Sequence, residues 1–126
     1  MSDGSTQSVP AVLSGVAESE RRLAARKSIR GPVTLVFNGQ LRVEVRAEDI
    51  SATGLGVIVD RNLKTQLTCE INLQLPGRGN QYKPHQVMGK TVNSTLSTSR
   101  GGFRIGLVFI QPASEFRQAV EVYIKR

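Results

Sequence analysis

The chain has 126 residues, 17 Lys and Arg against 10 Asp and Glu, a formal charge of +7, one cysteine and one histidine. That length fits one domain with a tail and leaves no room for a second core. One Cys and one His exclude an internal disulfide, a cysteine-histidine zinc site and an assembled nucleophile–base–acid set, so an enzyme is not expected.

Charge is unevenly spread. Residues 1–20 hold Asp3, Glu18 and Glu20 and no base, so the remaining 106 residues carry 17 bases against 7 acids. Five of those bases, Arg21, Arg22, Arg26, Lys27 and Arg30, fall within ten residues that contain no acid. A cluster of this kind points to an anionic partner, whereas scattered bases serve solubility. No apolar run reaches the ~20 residues of a membrane-spanning helix, and no secretory leader pattern opens the chain, so a cytoplasmic location without membrane insertion is expected.

In chain order, residues 1–17 read as a flexible tail rich in Ser, Gly and Thr. A short helix is predicted over Ala17–Ala25, and Gly31-Pro32 stops it. Val33–Phe37 and Leu41–Arg46 read as strands around Asn38-Gly39, a tight-turn dipeptide in which both residues tolerate positive φ. Asp49-Ile50-Ser51-Ala52-Thr53-Gly54 is a polar turn, followed by an apolar strand over Gly54–Val59. Leu67–Leu75 alternates with period two: Leu67, Cys69, Ile71, Leu73 and Leu75 face one way, which makes Cys69 a small buried strand residue and not a reactive thiol. His85 falls in a loop-like context. Val87–Leu96 and Phe103–Phe109 form a further strand pair. Residues 112–126 are predicted as a helix, with Ser114 as cap, Glu115 near the positive end of the dipole and Lys125 and Arg126 at the negative end. Phe37, Phe103, Phe109 and Phe116 are assigned to the core. Six strands and then one helix predict a mainly β fold: a six-stranded antiparallel barrel over 32–110 with a C-terminal helix.

Two stretches carry the chemistry. Arg22-Leu23-Ala24-Ala25-Arg26 is an RxxxR pattern, and Asp49-Ile50-Ser51-Ala52-Thr53-Gly54 is a DxSxxG pattern. With these motifs in this order and one hairpin between them, the chain resembles the PilZ domain family of cyclic di-GMP receptors. Arg30-Gly31-Pro32-Val33, Gly89-Lys90-Thr91-Val92 and Arg104-Ile105-Gly106-Leu107-Val108-Phe109 extend the likeness over roughly residues 21–126. Arg26-Lys27-Ser28-Ile29-Arg30 also fits RxxxR. The Arg22/Arg26 register is preferred for its spacing to Pro32, which leaves Arg30 and Lys27 as accessory bases.

The resemblance implies a single PilZ domain over 18–126, with a mobile arginine arm at 18–31. It implies a ligand site of Arg21, Arg22, Arg26, Asp49, Ser51 and Gly54, with cyclic di-GMP as ligand and no metal or other cofactor. A guanidinium can fork onto guanine O6 and N7, pair with phosphate or stack on a base. Asp49 suits the N–H groups of guanine, Ser51 a phosphate or base edge, and Gly54 a close backbone approach. Arg21 supplies a third guanidinium, which favours an intercalated ligand pair. Ligand would order the arm and relay the signal to an unidentified downstream protein. The alternative function is a small basic β-barrel that binds RNA or DNA through the same face. Taken alone, the Asp-x-Ser turn could satisfy only its own backbone, and Gly54 could be a barrel-corner glycine.

Overall fold

The structure is a computed structural model that describes residues 25–77 and 79–126. The strands are β1 (Lys27–Ser28), β2 (Pro32–Phe37), β3 (Leu41–Ile50), β4 (Gly54–Val59), β5 (Thr68–Pro76), β6 (Tyr82–Ser97) and β7 (Gly102–Ile110). A 3₁₀ turn, Thr98–Arg100, joins β6 to β7, and a single helix, α1 (Ser114–Ile124), follows. All pairings are antiparallel. The six longer strands run in the order β3-β2-β5-β6-β7-β4, and β3 also pairs β4, which closes the barrel. Closure leaves little of the sheet edge that would otherwise invite pairing with another chain. The two-residue β1 is laid against the far end of β3, Lys27 opposite Ile50 and Ser28 opposite Asp49.

Alternation builds the core. Val33 and Leu35, Val43 and Val45, Leu55, Val57 and Val59, the odd positions from Cys69 to Leu75, and Ile105 and Leu107 point inward and are buried. Helix α1 covers one part of this core with Phe116 and Val120. Phe37 and Phe116 are buried, while Phe103 and Phe109 are partly buried and pack against the core; Phe109 meets Phe116 edge-on at 4.9 Å between centroids. Cys69 is 1% exposed, and burial pushes its thiol pKa up to about 11, so it stays protonated at neutral pH. The Asn38-Gly39 turn forms, with φ of 54° and 69° and Gln40 N donating to Phe37 O at 3.0 Å.

Several boundaries are corrected. β6 begins at Tyr82, five residues before the expected start, so His85 is a strand residue opposite Leu73. Its N-terminal part pairs only with β5, because the β7 pairing starts at Met88; Pro84 therefore sits where one side of the strand needs no donor. Leu67 lies just outside β5 and is 38% exposed, and its N–H donates to Thr91 Oγ1 at 2.9 Å. The helix is shorter than 112–126. Ala113, extended at ψ 154°, takes the cap position, and Ser114 is the first helical residue with no capping bond. At the other end the cation comes from elsewhere in the chain: Lys27 Nζ donates to Tyr123 O at 3.1 Å and Arg126 O at 3.2 Å. The expected helix over Ala17–Ala25 and the tail lie outside the described residues, apart from Ala25, which is not helical.

Candidate functional site

The site is built on an irregularity. In a regular strand, neighbouring side chains alternate between faces. β3 carries a bulge between Ala47 and Asp49, where Ala47 pairs Val57 and Asp49 pairs Gly56, leaving Glu48 as the extra residue. The bulge brings the consecutive carboxylates Glu48 and Asp49 to one guanidinium, that of Arg104 on β7.

Around them runs a chain of alternating charge. Arg26 donates to Asp49 Oδ1 through Nη2 at 2.7 Å and Nε at 3.1 Å. Arg104 Nη2 reaches Asp49 Oδ2 at 2.9 Å and Oδ1 at 3.1 Å, and its Nε donates to Glu48 Oε1 at 3.0 Å. Arg100, on the 3₁₀ turn, pairs with the other oxygen of Glu48. Arg46 Nη2 donates to Arg100 O at 3.0 Å, tying that turn back to β3. Burial pushes the Asp49 pKa up, but hydrogen bonds and charge from Arg104 and Arg26 outweigh it and hold the carboxyl below its ordinary value. The Arg104 guanidinium is shifted upward: its hydrogen bonds and charge pairing with Asp49 and Glu48 outweigh the effect of burial.

Beside this chain lies an open cleft of about 760 Å³, lined by Arg30, Arg46 and Arg100 with Ser28, Ser99 and Glu48 among its other residues. Three guanidinium groups against one carboxylate make it electropositive, a setting for an anion with planar or phosphate groups.

The expected site residues divide into three sets. Arg26 and Asp49 meet directly, across 23 residues of chain, and Arg30 lines the adjoining cleft. Ser51, Gly54 and Lys27 have structural tasks. Ser51 is fully buried, and its hydroxyl accepts from Gly54 N at 3.1 Å and Thr53 N at 3.2 Å, which closes the turn on itself. Gly54 is required by the barrel: a Cβ there would lie 2.3 Å from Leu107 O on the neighbouring strand. Lys27 lies 4.7 Å from the Tyr123 ring centroid and is bonded to the end of α1, away from the cleft. Arg21 and Arg22 lie outside the described residues.

The last residues of the expected arm, from Arg26 to Ile29, lie against the barrel. Beyond β1, Ile29 N donates to Glu48 O at 3.1 Å and the Ile29 side chain is 5% exposed in the core. Tyr123 Oη donates to Ser28 O at 2.7 Å. The arm is thus attached to the barrel from Arg26 onward.

Glu48, Arg46, Arg100 and Arg104 were not singled out as site residues from sequence. The outward alternation of Arg42, Glu44 and Arg46 was a signal for one of them. The others needed the bulge and the β4–β7 register, where Arg104 stands opposite Ile58 and Gly106 opposite Gly56.

Comparison with known proteins agrees with this architecture. The family model described as "PilZ domain" matches residues 20–126, and the chain belongs to that family. No curated protein sequence matches it. Among solved structures, the Bacillus subtilis inhibitor of motility (MotI/DgrA) is similar, with a TM-score of 0.73 and 16% identity over 84% of this chain and 50% of that one. The PilZ domain of YcgR from Escherichia coli, solved with c-di-GMP, has a TM-score of 0.62 and 11% identity over 83% of this chain and 90% of its own. PlzA of Borreliella burgdorferi, also in complex with c-di-GMP, has a TM-score of 0.61 and 15% identity over 90% of this chain and 45% of that one. The chain therefore spans about half the length of MotI and of PlzA. Among the described residues no helix is long and apolar enough to cross a membrane.

Proposed function

We propose that this chain is a receptor for cyclic di-GMP, which it binds on the outer face carrying Asp49, Arg26 and the arginine-lined cleft. The observation that carries the proposal is the meeting of the two motifs: Arg26 of RxxxR and Asp49 of DxSxxG are hydrogen-bonded at 2.7 Å. Two relatives of the same fold were solved with that ligand, which supports the same ligand class here. In this reading the Asp49 carboxylate accepts from the N–H edge of a guanine. Arg26 and Arg22 fork onto guanine or phosphate or stack on a base, and Arg30, Arg46 and Arg100 neutralise phosphate across the cleft. Ser51 and Gly54 act by holding Asp49 in place and make no ligand contact of their own. Ligand binding orders residues of the arm before Arg26, and the surface so formed engages or releases a downstream protein. Arg21 stacks on a second ligand molecule, giving two per chain. The role is binding and relay, without catalysis.

Calorimetric titration of the full chain tests this. Wild type binds cyclic di-GMP with two molecules per chain, and Arg22→Ala, Arg26→Ala and Asp49→Ala each weaken binding by about tenfold or more. Undetectable wild-type binding overturns the proposal, and a ratio of one overturns the pair. Equal binding of single-stranded DNA, with steep salt dependence, would favour the basic-barrel alternative. Loss in Arg30→Ala with Arg22→Ala unaffected would move the motif to the Arg26/Arg30 register.

A further inference from the structure

Donors converge unevenly on Asp49. Its Oδ1 accepts from Arg26 Nη2 and Nε and from Arg104 Nη2, at 2.7, 3.1 and 3.1 Å. Among the described residues Oδ2 accepts only from Arg104 Nη2, at 2.9 Å. Each carboxylate oxygen offers two lone pairs, so Oδ1 is full while Oδ2 has room. The Watson–Crick edge of guanine presents an imino and an amino N–H side by side, and a carboxylate meets such an edge with one oxygen each. Arg26 and a guanine edge therefore compete for Oδ1.

Arg104 is held differently. Glu48 grips its Nε at 3.0 Å, and Arg100 occupies the other oxygen of Glu48. The Arg104 side chain is 28% exposed, against 45% for Arg26. Gly56 keeps the space open: a Cβ there would lie 2.6 Å from Arg104 Nη2 and 2.7 Å from Asp49 Oδ1. One nitrogen of Arg104 spans both oxygens of Asp49, so the carboxylate keeps a partner and an orientation when Arg26 departs.

We propose that Arg104 is the positioning residue that sets the base selectivity of the site, holding Asp49 from the Glu48 side while Arg26 is exchanged for a guanine edge. This inference rests on the reading of the site as a cyclic di-GMP receptor. In that exchange Asp49 moves from an arginine-saturated carboxylate to a two-oxygen acceptor for guanine, with Arg104 retained throughout.

The test is titration of the full chain with cyclic di-GMP and with cyclic di-AMP, whose adenine carries an acceptor N1 in place of the imino donor and has no 2-amino group. Wild type prefers the guanine ligand. Arg104→Ala weakens cyclic di-GMP binding by about tenfold or more beyond any loss of cyclic di-AMP binding, so the preference collapses. The groups facing Asp49 are Arg26, just before β1, and Arg104 on β7, with Glu48 beside it on β3. Losing Arg104 therefore moves the acid limb of cyclic di-GMP affinity to higher pH, because a cation that favoured the carboxylate is gone. Arg104→Lys restores that limb but not the preference, since an ammonium does not span Glu48 and both Asp49 oxygens. If thermal melting shows Arg104→Ala unfolded, Glu48→Gln carries the test: it loosens Arg104 from behind and reduces the preference in part, and an unchanged preference overturns the inference. A folded Arg104→Ala protein with the wild-type preference overturns the inference and leaves the receptor reading intact. A wild type that binds no cyclic di-GMP overturns both.

Discussion

The two halves of the barrel are built differently. Strands β2, β5 and β6 pair without interruption along their shared ladders, each register is unbroken, and Val33, Leu35 and the odd positions from Cys69 to Leu75 are apolar and buried. The half formed by β3, β4 and β7 holds the bulge at Glu48, glycines at 54, 56 and 106, and the Arg26–Asp49–Arg104–Glu48–Arg100 chain of charge. A second bulge, between Thr91 and Asn93 where β6 meets β7, lies at the border of this half. The regular half contributes burial and depends on volume. The irregular half gives up ladder regularity so that adjacent acids and distant arginines share one surface. Stability and recognition are therefore separable by mutation.

The largest effect belongs to the regular half. Ile71→Ala removes a fully buried side chain opposite Leu35 and lowers the unfolding free energy by about 2–5 kcal/mol in chemical denaturation. Ligand affinity per folded molecule stays at the wild-type value. A matching loss of affinity would show that the halves are not separable.

Gly54→Ala comes next, because it lies in the irregular half yet is expected to change both stability and recognition. The added Cβ meets the Leu107 carbonyl oxygen at 2.3 Å, a backbone atom that cannot swing aside, so β4 and β7 must part. A destabilisation of about 1–3 kcal/mol is expected in thermal melts, together with weaker ligand binding as Asp49 shifts. Unchanged stability would mean that the strand spacing is softer than the register implies.

Tyr123→Phe removes the hydroxyl that donates to Ser28 O at 2.7 Å and holds β1 against α1. It costs about 1 kcal/mol of stability and speeds amide exchange at Ile29, read by NMR. Exchange at Ile29 no faster than in wild type would show that the Tyr123 hydroxyl does not help to hold β1.

The smallest expected effect is in pH dependence. Asp49 has a depressed pKa in the folded chain, so its contribution to stability is complete above the unfolded carboxylate pKa and is lost as pH falls through the folded one. Asp49→Asn therefore flattens the acid limb of the melting profile. His85 acts at higher pH. Burial and the neighbouring Lys83 lower its pKa while Glu115 opposes, so acidification below the ordinary histidine value protonates the unfolded chain first and stability falls. His85→Phe keeps the edge contact with Phe116, 5.6 Å away, and removes that slope. A slope that persists in both variants would place the titration elsewhere.

The regular half was the more legible in sequence because period two and turn dipeptides are local signals. Leu67–Leu75, the Asn38-Gly39 hairpin and the closing helix were found in nearly their true places. Tyr82–Gln86 was missed because its polar, proline-bearing composition suits a strand paired on one side only, and nothing local reveals on which side a strand is paired. In the candidate site, the motifs named Arg26 and Asp49, which meet, and also Ser51, with Lys27 as an accessory base. The structure directs Ser51 to a turn and Lys27 to a helix end.

The chain by itself determined the alternation, the turns, the basic cluster and the order of six strands before one helix, because each depends on neighbours within a few residues. Tertiary structure alone decided which carboxylates share a face, which arginines hold them and where Ser51 points. A bulge shifts register by one residue and an ion pair joins positions 55 residues apart, and both exist only once the barrel has closed.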